Sequence, residues 1–338
     1  MYSVIEDLRK KVIESIKNRN FLSAIAGKEK EKKEIAKILV SGRHLILLGP
    51  AGVGKTSIAK EIANLLSPIE VIDSPIPILK DEEHPLKDFY NTEKTKILQG
   101  KERFVRVQGS HDLEIEDLIG YINPNLAMKY GINDPRSFVP GKLLRANHGI
   151  LFFDEVNRAP EKIQNLLLEA LEEGTITLGT YNIQVPNDFL LIATMNPSDF
   201  IGTERLSEVF FDRFEVVEID YPSFEEELEV LNKKDKKLVK ADKIKKVIVE
   251  LIQQLRKDNN LLMKPSVRAS LAILDLAESS ALIKGKEEVD FEDLEEAVEN
   301  ALPHRIKLKP SLKTETNEKE YVRKTFENIK RKFSNLRH

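Results

Sequence analysis

The sequence predicts an α/β domain, with helices on both faces of a parallel β-sheet, followed by a small all-α domain. Short apolar runs typical of buried parallel strands alternate with amphipathic helical segments up to residue 222. One such run leads directly into a glycine-rich loop and a helix. From Ser223 onward the apolar residues follow a helical period alone. We therefore predict an α/β domain at 1–222, a helical domain at 223–302 and a basic, helical tail at 303–338.

The composition excludes several classes of protein. The chain has 338 residues, of which 41% are hydrophobic, enough for two domains with cores of their own. No apolar run approaches the ~20 residues of a membrane-spanning helix, and the first residues lack the apolar stretch of a secretory signal. The absence of cysteine excludes disulfides and thiolate metal sites. We therefore expect a cytoplasmic protein, and its net charge of −3 argues against a general polyanion binder.

Two helices are predicted before the first strand. Within 4–18 the apolar residues fall on one helical face and the charges on the other, and a second helix is predicted at about 28–40. The apolar run at 45–48 is the first strand, and a helix is predicted to begin at Lys55. The glycine-rich loop therefore joins a strand to a helix.

This loop has the spacing of a phosphate-binding loop. Backbone N–H groups of such a loop and the positive end of the helix dipole point at one spot, where they stabilise a phosphate. Lys55 would reach the outer phosphates, and Thr56 would offer its hydroxyl to Mg²⁺. The predicted nucleotide-binding residues are Gly49, Pro50, Ala51, Gly52, Val53, Gly54, Lys55, Thr56 and Ser57.

The stretch after this helix is harder to interpret. Residues 67–103 contain four prolines followed by a charged segment, which indicates a long loop. Alternation at 104–109 predicts a strand, and residues 113–148 contain short helical pieces interrupted by glycine and proline.

Two acidic residues end the continuous apolar run that begins at Ile150. At the end of a buried parallel strand, Asp154 would hold Mg²⁺ through its waters, and Glu155 would polarise a water for attack on the γ-phosphate. The alternative for two adjacent acids is a solvated strand end. The phosphate loop upstream favours the catalytic interpretation. The remaining elements of the first domain are a helix from Pro160 to Gly174, a hairpin at 175–185 and strands at 190–196 and 216–221.

Asn196, at the end of the next buried strand, is placed to orient the attacking water. Its alternative role is an Asx turn before Pro197, which this dipeptide favours. Four helices are predicted in the second domain, near 223–234, 241–258, 266–279 and 290–301.

The tail carries eleven Lys and Arg residues against four Glu. A solvated helix is the simplest interpretation, and an arm that binds nucleic acid or a partner is the alternative. An apolar stripe within the tail comprises Tyr321, Val322, Phe326, Ile329 and Phe333.

In their order along the chain, these motifs resemble those of AAA+ ATPases. The resemblance covers about residues 22–300, and it is strongest to the MoxR and magnesium-chelatase I-subunit branch, the clade with a helix-2 insert. The stretch at 140–149 is similar to the chelatase-type sequence. The motifs besides the loop are Phe152-Phe153-Asp154-Glu155, the hairpin, Ala193-Thr194-Met195-Asn196-Pro197 and Phe211-Asp212-Arg213-Phe214.

The resemblance implies a ring, usually a hexamer, with ATP at the subunit boundary. Arg213 then matches an arginine finger that reaches the neighbouring subunit's γ-phosphate, although a salt bridge with Asp212 or Glu215 is the alternative. Arg205 is a second candidate to act on a neighbour. Arg268 matches the sensor-2 arginine of the helical lid, acting either on its own nucleotide or on a neighbour's.

The resemblance also implies functions for the loops. Gln108, at the end of its strand, matches a polar switch residue that contacts Glu155. The insert at 113–148 and the hairpin would line the ring pore, and Ala24 to Gly27 would lie near the adenine base. Insert residues that would touch a substrate, or else form ordinary loop surface, are Tyr121, Lys129, Tyr130 and Arg136.

Three functional hypotheses follow, all with ATP and Mg²⁺ as cofactors. The first is a MoxR-like motor that remodels a client protein or assists metal or cofactor insertion. The second is the magnesium-chelatase motor subunit, and the third is a nucleic-acid-associated motor that uses the basic tail and the insert. The resemblance also implies a partner that bears a von Willebrand A domain, with which motors of this branch usually work, and we expect this partner to be a separate polypeptide.

Overall fold

The computed structural model describes residues 2–178, 183–197 and 206–334. The chain divides into two compact units. The first comprises residues 1–49 and 54–219, and the second comprises residues 220–338 together with loop residues 50–53. None of the helices in the described ranges is long and apolar enough to cross a bilayer.

The first unit contains strands β1 to β11 and helices α1 to α8, and the second contains the remaining elements. The strands are β1 (His44–Leu48), β2 (Ile69–Asp73), β3 (Asn91–Leu98), β4 (Phe104–Gln108), β5 (Gly120–Ile122), β6 (Phe138–Pro140), β7 (Gly149–Asp154), β8 (Thr175–Leu178), β9 (Ile183–Pro186), β10 (Phe189–Met195), β11 (Phe214–Glu218), β12 (Leu261–Met263) and β13 (Lys307–Leu308). The helices are α1 (Val4–Lys17), α2 (Glu29–Ser41), α3 (Lys55–Leu65), α4 (Ile115–Leu118), α5 (Pro124–Tyr130), α6 (Lys142–Arg145), α7 (Glu161–Glu173), α8 (Glu208–Phe211), α9 (Phe224–Lys234), α10 (Asp242–Lys257), α11 (Val267–Ile283), α12 (Phe291–Ala301) and α13 (Glu318–Ser334).

Five parallel strands form the central sheet, in the order β11-β1-β10-β7-β4. Every residue of β10 is buried, and β7 is buried except at Asp154. Such continuous apolar runs are stable only where helices cover both faces of a sheet. The predicted α/β class with a parallel sheet is confirmed. Because the strands are parallel, the carboxyl ends of β1, β10, β7 and β4 lie at one edge.

The proline-containing stretch at 67–103 includes a pair of strands that we did not predict. β2 and β3 pair antiparallel, with Glu70 opposite Ile97 and Ile72 opposite Thr95. Pro68 precedes β2, and the other prolines lie in the connection between the two strands. The long loop that we predicted is therefore a hairpin with an extended connection. At 113–148 the short helical pieces are present as α4, α5 and α6, and the strands β5 and β6 pair between them.

Polar contacts fix the N-terminal helix to the sheet. The fully buried side chain of Arg103 donates from Nε to the His148 carbonyl oxygen at 2.7 Å, and its Cζ lies 5.4 Å from the centroid of the Tyr2 ring. The Asp7 carboxylate accepts hydrogen bonds from the Ser67 backbone N–H at 2.9 Å and from its hydroxyl at 2.7 Å. The predicted amphipathic helix α1 is thus part of the first unit.

The second unit is helical, and the tail packs into its core. The stripe residues Val322, Phe326 and Ile329 on α13 are each at most 1% exposed, and Tyr321 and Phe333 pack against the same core. The stripe is therefore buried, and the tail that we separated at residue 303 continues the helical unit in this structure.

The charged face of α13 is paired with the helices beneath it. Lys330 lies 2.7 Å from a Glu295 carboxylate oxygen on α12, and Lys332 lies 2.6 Å from one of Glu250 on α10. These contacts neutralise part of the basic face. They support a packing function for the tail.

A buried ion pair lies inside the helical unit. Glu227 on α9 is fully buried and accepts hydrogen bonds from both terminal nitrogens of Arg256, at 2.6 and 2.9 Å. The third guanidinium nitrogen of Arg256, Nε, donates to the Pro265 carbonyl oxygen at 2.9 Å. This complete pairing offsets part of the cost of removing both charges from water, and breaking it would leave a buried charge without a partner. The pair therefore fixes α9 and α10 to the segment that leads into α11.

Candidate functional site

The glycine-rich loop begins at a close approach between strand ends. The Gly49 N–H donates to the Met195 carbonyl oxygen at 3.1 Å, and the Ile219 N–H donates to the Leu48 carbonyl oxygen at 2.7 Å. A Cβ on Gly49 would lie 2.0 Å from the Ile219 carbonyl oxygen. Only glycine fits at this position. The two hydrogen bonds place the start of the loop at the carboxyl ends of β10 and β11.

The loop ends at a helix N-terminus that suits an anion. Gly54 precedes α3 with φ at +103°, in the left-handed region that favours glycine. No side chain caps the first turn of α3, and the turn contains no acidic residue. Lys55 Nζ donates to the Gly49 carbonyl oxygen, so the amine lies over the loop. Thr56 and Ser57 follow in the first turn. An uncapped helix start beside a lysine and a hydroxyl fits the phosphates of a nucleotide.

The first acid is oriented by the adjacent strand. Thr194 on β10, which is 1% exposed, donates from its hydroxyl to Asp154 Oδ1 at 2.6 Å. The same hydroxyl oxygen accepts a hydrogen bond from the Glu155 backbone N–H at 2.9 Å. Thr194 therefore positions both acids. Sequence reasoning did not assign this residue, although the register of β10 with β7, Ala193 opposite Phe153, places it beside Asp154.

The second acid occupies a tight turn. Glu155 has φ at 56° and ψ at 50°, which is uncommon for a residue with a side chain. Its Oε2 accepts a hydrogen bond from Gln108 Nε2 at 3.0 Å and lies 3.1 Å from Arg158 Nη1. A Cβ on Gly109 would lie 2.0 Å from the Glu155 carbonyl oxygen, so glycine is required there. The predicted contact between Gln108 and Glu155 is confirmed, and Arg158 is an additional partner.

An arginine on the edge strand joins this network. Arg106 Nη2 on β4 donates to Asp154 Oδ2 at 2.5 Å and to Gln108 Oε1 at 3.1 Å. The register places Gln108 opposite Asp154, so all three side chains lie at the same edge of the sheet. Sequence reasoning did not assign Arg106, because its relation to Asp154 depends on the strand order.

The donors suit magnesium. Mg²⁺ is usually held by one or two carboxylates plus substrate phosphates, with several waters retained. Within the described ranges, no three His, Asp or Glu side chains cluster as an all-protein cage. The carboxylate of Asp154 and the hydroxyl of Thr56 are the oxygen donors that would hold the ion.

Asn196 follows directly on β10. Met195 is opposite Leu48 in the parallel register, and the loop begins at the next residue after Leu48. Asn196 therefore lies next to the start of the loop, and this residue is half-buried. That its amide orients a water stays a prediction.

The predicted arginines lie in different places. Arg213 pairs with Glu172 on α7, where both side chains are about half exposed, and this pairing differs from the predicted alternatives Asp212 and Glu215. Arg268 is exposed near the start of α11 in the helical unit. Arg205 lies outside the described residues. The roles of these three arginines stay predictions.

The insert residues form their own cluster. The Arg136 Cζ lies 4.6 Å from the centroid of the Tyr130 ring, and Lys129 Nζ lies 4.8 Å from the same centroid. Hydrogen bonds from Arg136 lower the pKa of Asp134 to about 2, so this carboxylate stays ionised. Tyr121 on β5 is half exposed. The predicted hairpin is confirmed as β8 paired with β9, and its tip at 179–182 lies outside the described residues.

Three protein families match different parts of the chain. Residues 90–216 match the ATPase family associated with various cellular activities (AAA), and residues 254–324 match the AAA lid domain. Residues 21–75, which include the loop, match magnesium chelatase subunit ChlI.

Curated relatives agree with these matches. The chain is 32% identical to the uncharacterized protein YeaC of Bacillus subtilis over 63% of this chain and 72% of that protein. It is 29% identical to a magnesium-chelatase subunit ChlI homolog of Methanocaldococcus jannaschii, over 85% of this chain and 86% of the relative. Chaperone MoxR1 of Mycobacterium tuberculosis is 30% identical over 47% of this chain and 50% of its own length.

Solved structures agree on the fold. A RuvB mutant from Thermotoga maritima has a TM-score of 0.51 at 16% identity, over 82% of this chain and 71% of that chain. At this identity the likeness bears on the fold alone. The family matches and the relatives cover the loop, the strands at the two acids and the helical unit. The chain therefore belongs to the AAA+ ATPases, in the branch that contains MoxR and the magnesium-chelatase subunit ChlI.

Proposed function

We propose that this chain hydrolyses ATP with Mg²⁺ in a homo-oligomeric ring, which remodels a client protein or assists insertion of a metal or cofactor. One observation carries the hydrolytic part. The phosphate loop, Asn196 and the two acids occupy the carboxyl ends of the adjacent strands β1, β10 and β7. A nucleotide bound at the loop would have its outer phosphate directed at these groups.

The residues would divide the work as follows. The loop and the first turn of α3 bind the phosphates, and Lys55 neutralises the outer ones. Thr56 and Asp154 would hold Mg²⁺, which would supply positive charge to the phosphates. Glu155 accepts the proton of the attacking water, which Asn196 orients. Gln108 and Arg158 both contact Oε2 of Glu155, so these contacts orient the carboxylate.

Replacing Lys55 with Ala is expected to weaken ATP binding by about 10–100-fold, the equivalent of the 1.5–3 kcal/mol typical of a charged hydrogen bond. Titration with a fluorescent ATP analogue measures this change. Lys60→Ala is the matched control, because Lys60 is exposed on the same helix. Equal affinities for the two variants would refute nucleotide binding at the loop.

The biological role rests on the relatives. The similarity to Chaperone MoxR1 supports client remodelling, and the similarity to ChlI proteins supports a chelatase motor. For either role we propose a separate partner with a von Willebrand A domain. Affinity capture of the ATP-bound ring followed by mass spectrometry would identify it, and the partner's own substrate would distinguish the two roles.

The contacts of the tail argue against the alternative hypothesis of a motor that acts on nucleic acid. Three lysines of the tail, Lys319, Lys330 and Lys332, pair with acids on α10 and α12, which lowers the positive charge that the tail presents to phosphates. Binding through phosphates weakens steeply with salt. ATPase rates with and without DNA at two salt concentrations test this alternative, and salt-sensitive stimulation by DNA would favour it.

A further inference from the structure

A polar cavity lies at the edge of the sheet, beside β4. Its volume is about 260 Å³, and β3, β4 and α6 contribute to its walls. The residues that matter here are Lys96, Glu102, Phe104, Arg106, Lys142 and Arg145.

The cavity is strongly cationic. Four basic side chains, those of Lys96, Arg106, Lys142 and Arg145, line it against a single acid, Glu102. Glu102 keeps its negative charge while it accepts a hydrogen bond from the Gln99 N–H at 2.8 Å, and Arg106 is paired with Asp154, so three further cations face one acid. Within the described ranges, Lys96, Lys142 and Arg145 form no ion pair.

These side chains are exposed, so water screens their mutual repulsion, and a bound anion would lower it further. Elsewhere on the first unit some exposed basic side chains are paired, such as Lys162 with Glu114, whereas here these three cations converge on one cavity. The uncompensated charge comes from two separate elements, the strand β3 and the helix α6. It is therefore a property of how these elements pack, and it indicates an anionic ligand.

The size and the donors select the kind of anion. The volume is slightly below the ~300 Å³ at which pockets for drug-sized ligands begin, so a compact anion fits better than an extended segment. Guanidinium and ammonium groups match phosphate oxygens in geometry and charge. We propose that this cavity binds a short chain of phosphates, supplied either as an inorganic oligophosphate or as the phosphate tail of a nucleotide.

Arg106 connects this cavity to the hydrolytic site. It lines the cavity and donates to Asp154 at 2.5 Å and to Gln108 at 3.1 Å. A bound phosphate would compete with Asp154 for the guanidinium. Occupancy of the cavity would therefore free Asp154 and Gln108, and Gln108 is one of the groups that hold Glu155. This coupling, unlike the binding itself, rests on the proposed function.

The binding experiment uses the full chain with Lys55→Ala, which weakens phosphate binding at the loop. Calorimetric titration with inorganic tripolyphosphate is expected to show binding, and adding Lys142→Ala and Arg145→Ala is expected to weaken it by about tenfold or more. Adding Lys17→Ala and Lys60→Ala instead removes the same charge elsewhere on the first unit and is expected to change little. Equal loss in both sets, or no binding, would overturn the proposal.

A parallel titration with ADP separates the two sources. Loss of ADP binding in the cavity variant alone identifies a nucleotide tail, whereas cavity-dependent binding of tripolyphosphate alone identifies an inorganic ligand. Lys96→Ala should weaken binding too. Because Lys96 lies on β3, this variant excludes misfolding of α6 as the cause of the loss. None of these measurements uses ATP hydrolysis. A wild-type chain that does not hydrolyse ATP would therefore refute the proposed function without bearing on phosphate binding in the cavity.

The coupling between the cavity and Asp154 predicts a substitution that raises the affinity for tripolyphosphate. Asp154→Asn removes the carboxylate that competes for Arg106, so tripolyphosphate affinity is expected to rise about threefold or more. Arg106→Ala is expected to lower it. An unchanged affinity in Asp154→Asn would refute the coupling, and a general structural defect would lower the affinity rather than raise it.

Discussion

Replacing Glu155 with Gln is expected to lower ATP turnover by about 10²–10⁴-fold, because a positioned general base contributes that factor. ATP binding should remain, since the loop and Lys55 do not depend on the Glu155 charge. The glutamine keeps the side-chain length and an oxygen that can accept the hydrogen bond from Gln108. The measurement is steady-state phosphate release together with nucleotide affinity on the same preparation.

The matched control for this change is Glu161→Gln. Glu161 is exposed in the first turn of α7, a few residues downstream, so it undergoes the same chemical change away from the strand ends. Turnover of Glu155→Gln at the control rate would refute the general-base assignment. Loss of ATP binding with loss of turnover would instead assign Glu155 a structural role through Gln108 and Arg158.

Much of this site could be predicted because its parts are local in the sequence. The glycine loop, the acids after β7 and Asn196 after β10 are each read from a strand end and its neighbours. Parallel strands bring such ends to one edge whatever their order. The sequence therefore predicts that these groups meet, without knowledge of which strand is adjacent to which.

The residues that were missed depend on that adjacency. Thr194 and Arg106 act through side-chain contacts across strands, and these contacts exist because β7 lies between β10 and β4. Arg158 reaches Glu155 only because the turn at Glu155 is left-handed. Neither strand order nor the hand of a turn at a residue other than glycine can be read from one sequence.

The fold shows the same division. Strong apolar periodicity predicted the buried strands and most helices, but the antiparallel pair β2–β3 escaped, because β3 is polar and mostly exposed. The sequence predicted the apolar stripe on α13, but it did not predict the surface against which this stripe packs. In the structure the stripe is buried in the helical core, and Glu250 and Glu295 pair with two lysines of the basic face.

The second large effect concerns Arg213. Arg213→Ala is expected to lower turnover by about 10³–10⁵-fold, the range observed for arginine fingers. In this structure the guanidinium pairs with Glu172, and both side chains are exposed on the surface of the first unit. Glu172→Ala is the matched control, because it removes the same surface pair while leaving the arginine. A surface pair contributes about 0–1 kcal/mol, so the control should retain turnover. Equal losses in both variants would assign the effect to the pair itself.

Mixing two inactive variants decides whether Arg213 acts on a neighbour. In a ring, an Arg213→Ala subunit keeps Glu155, and a Glu155→Gln subunit keeps Arg213. If the arginine completes the next subunit's site, random mixing in equal amounts restores about a quarter of the sites, because each restored site needs both subunit types in the right order. If Arg213 acts within its own subunit, every site in the mixed ring lacks one of the two groups. Turnover that recovers on mixing therefore requires a site shared between subunits, and turnover that stays at the level of the separate variants excludes one.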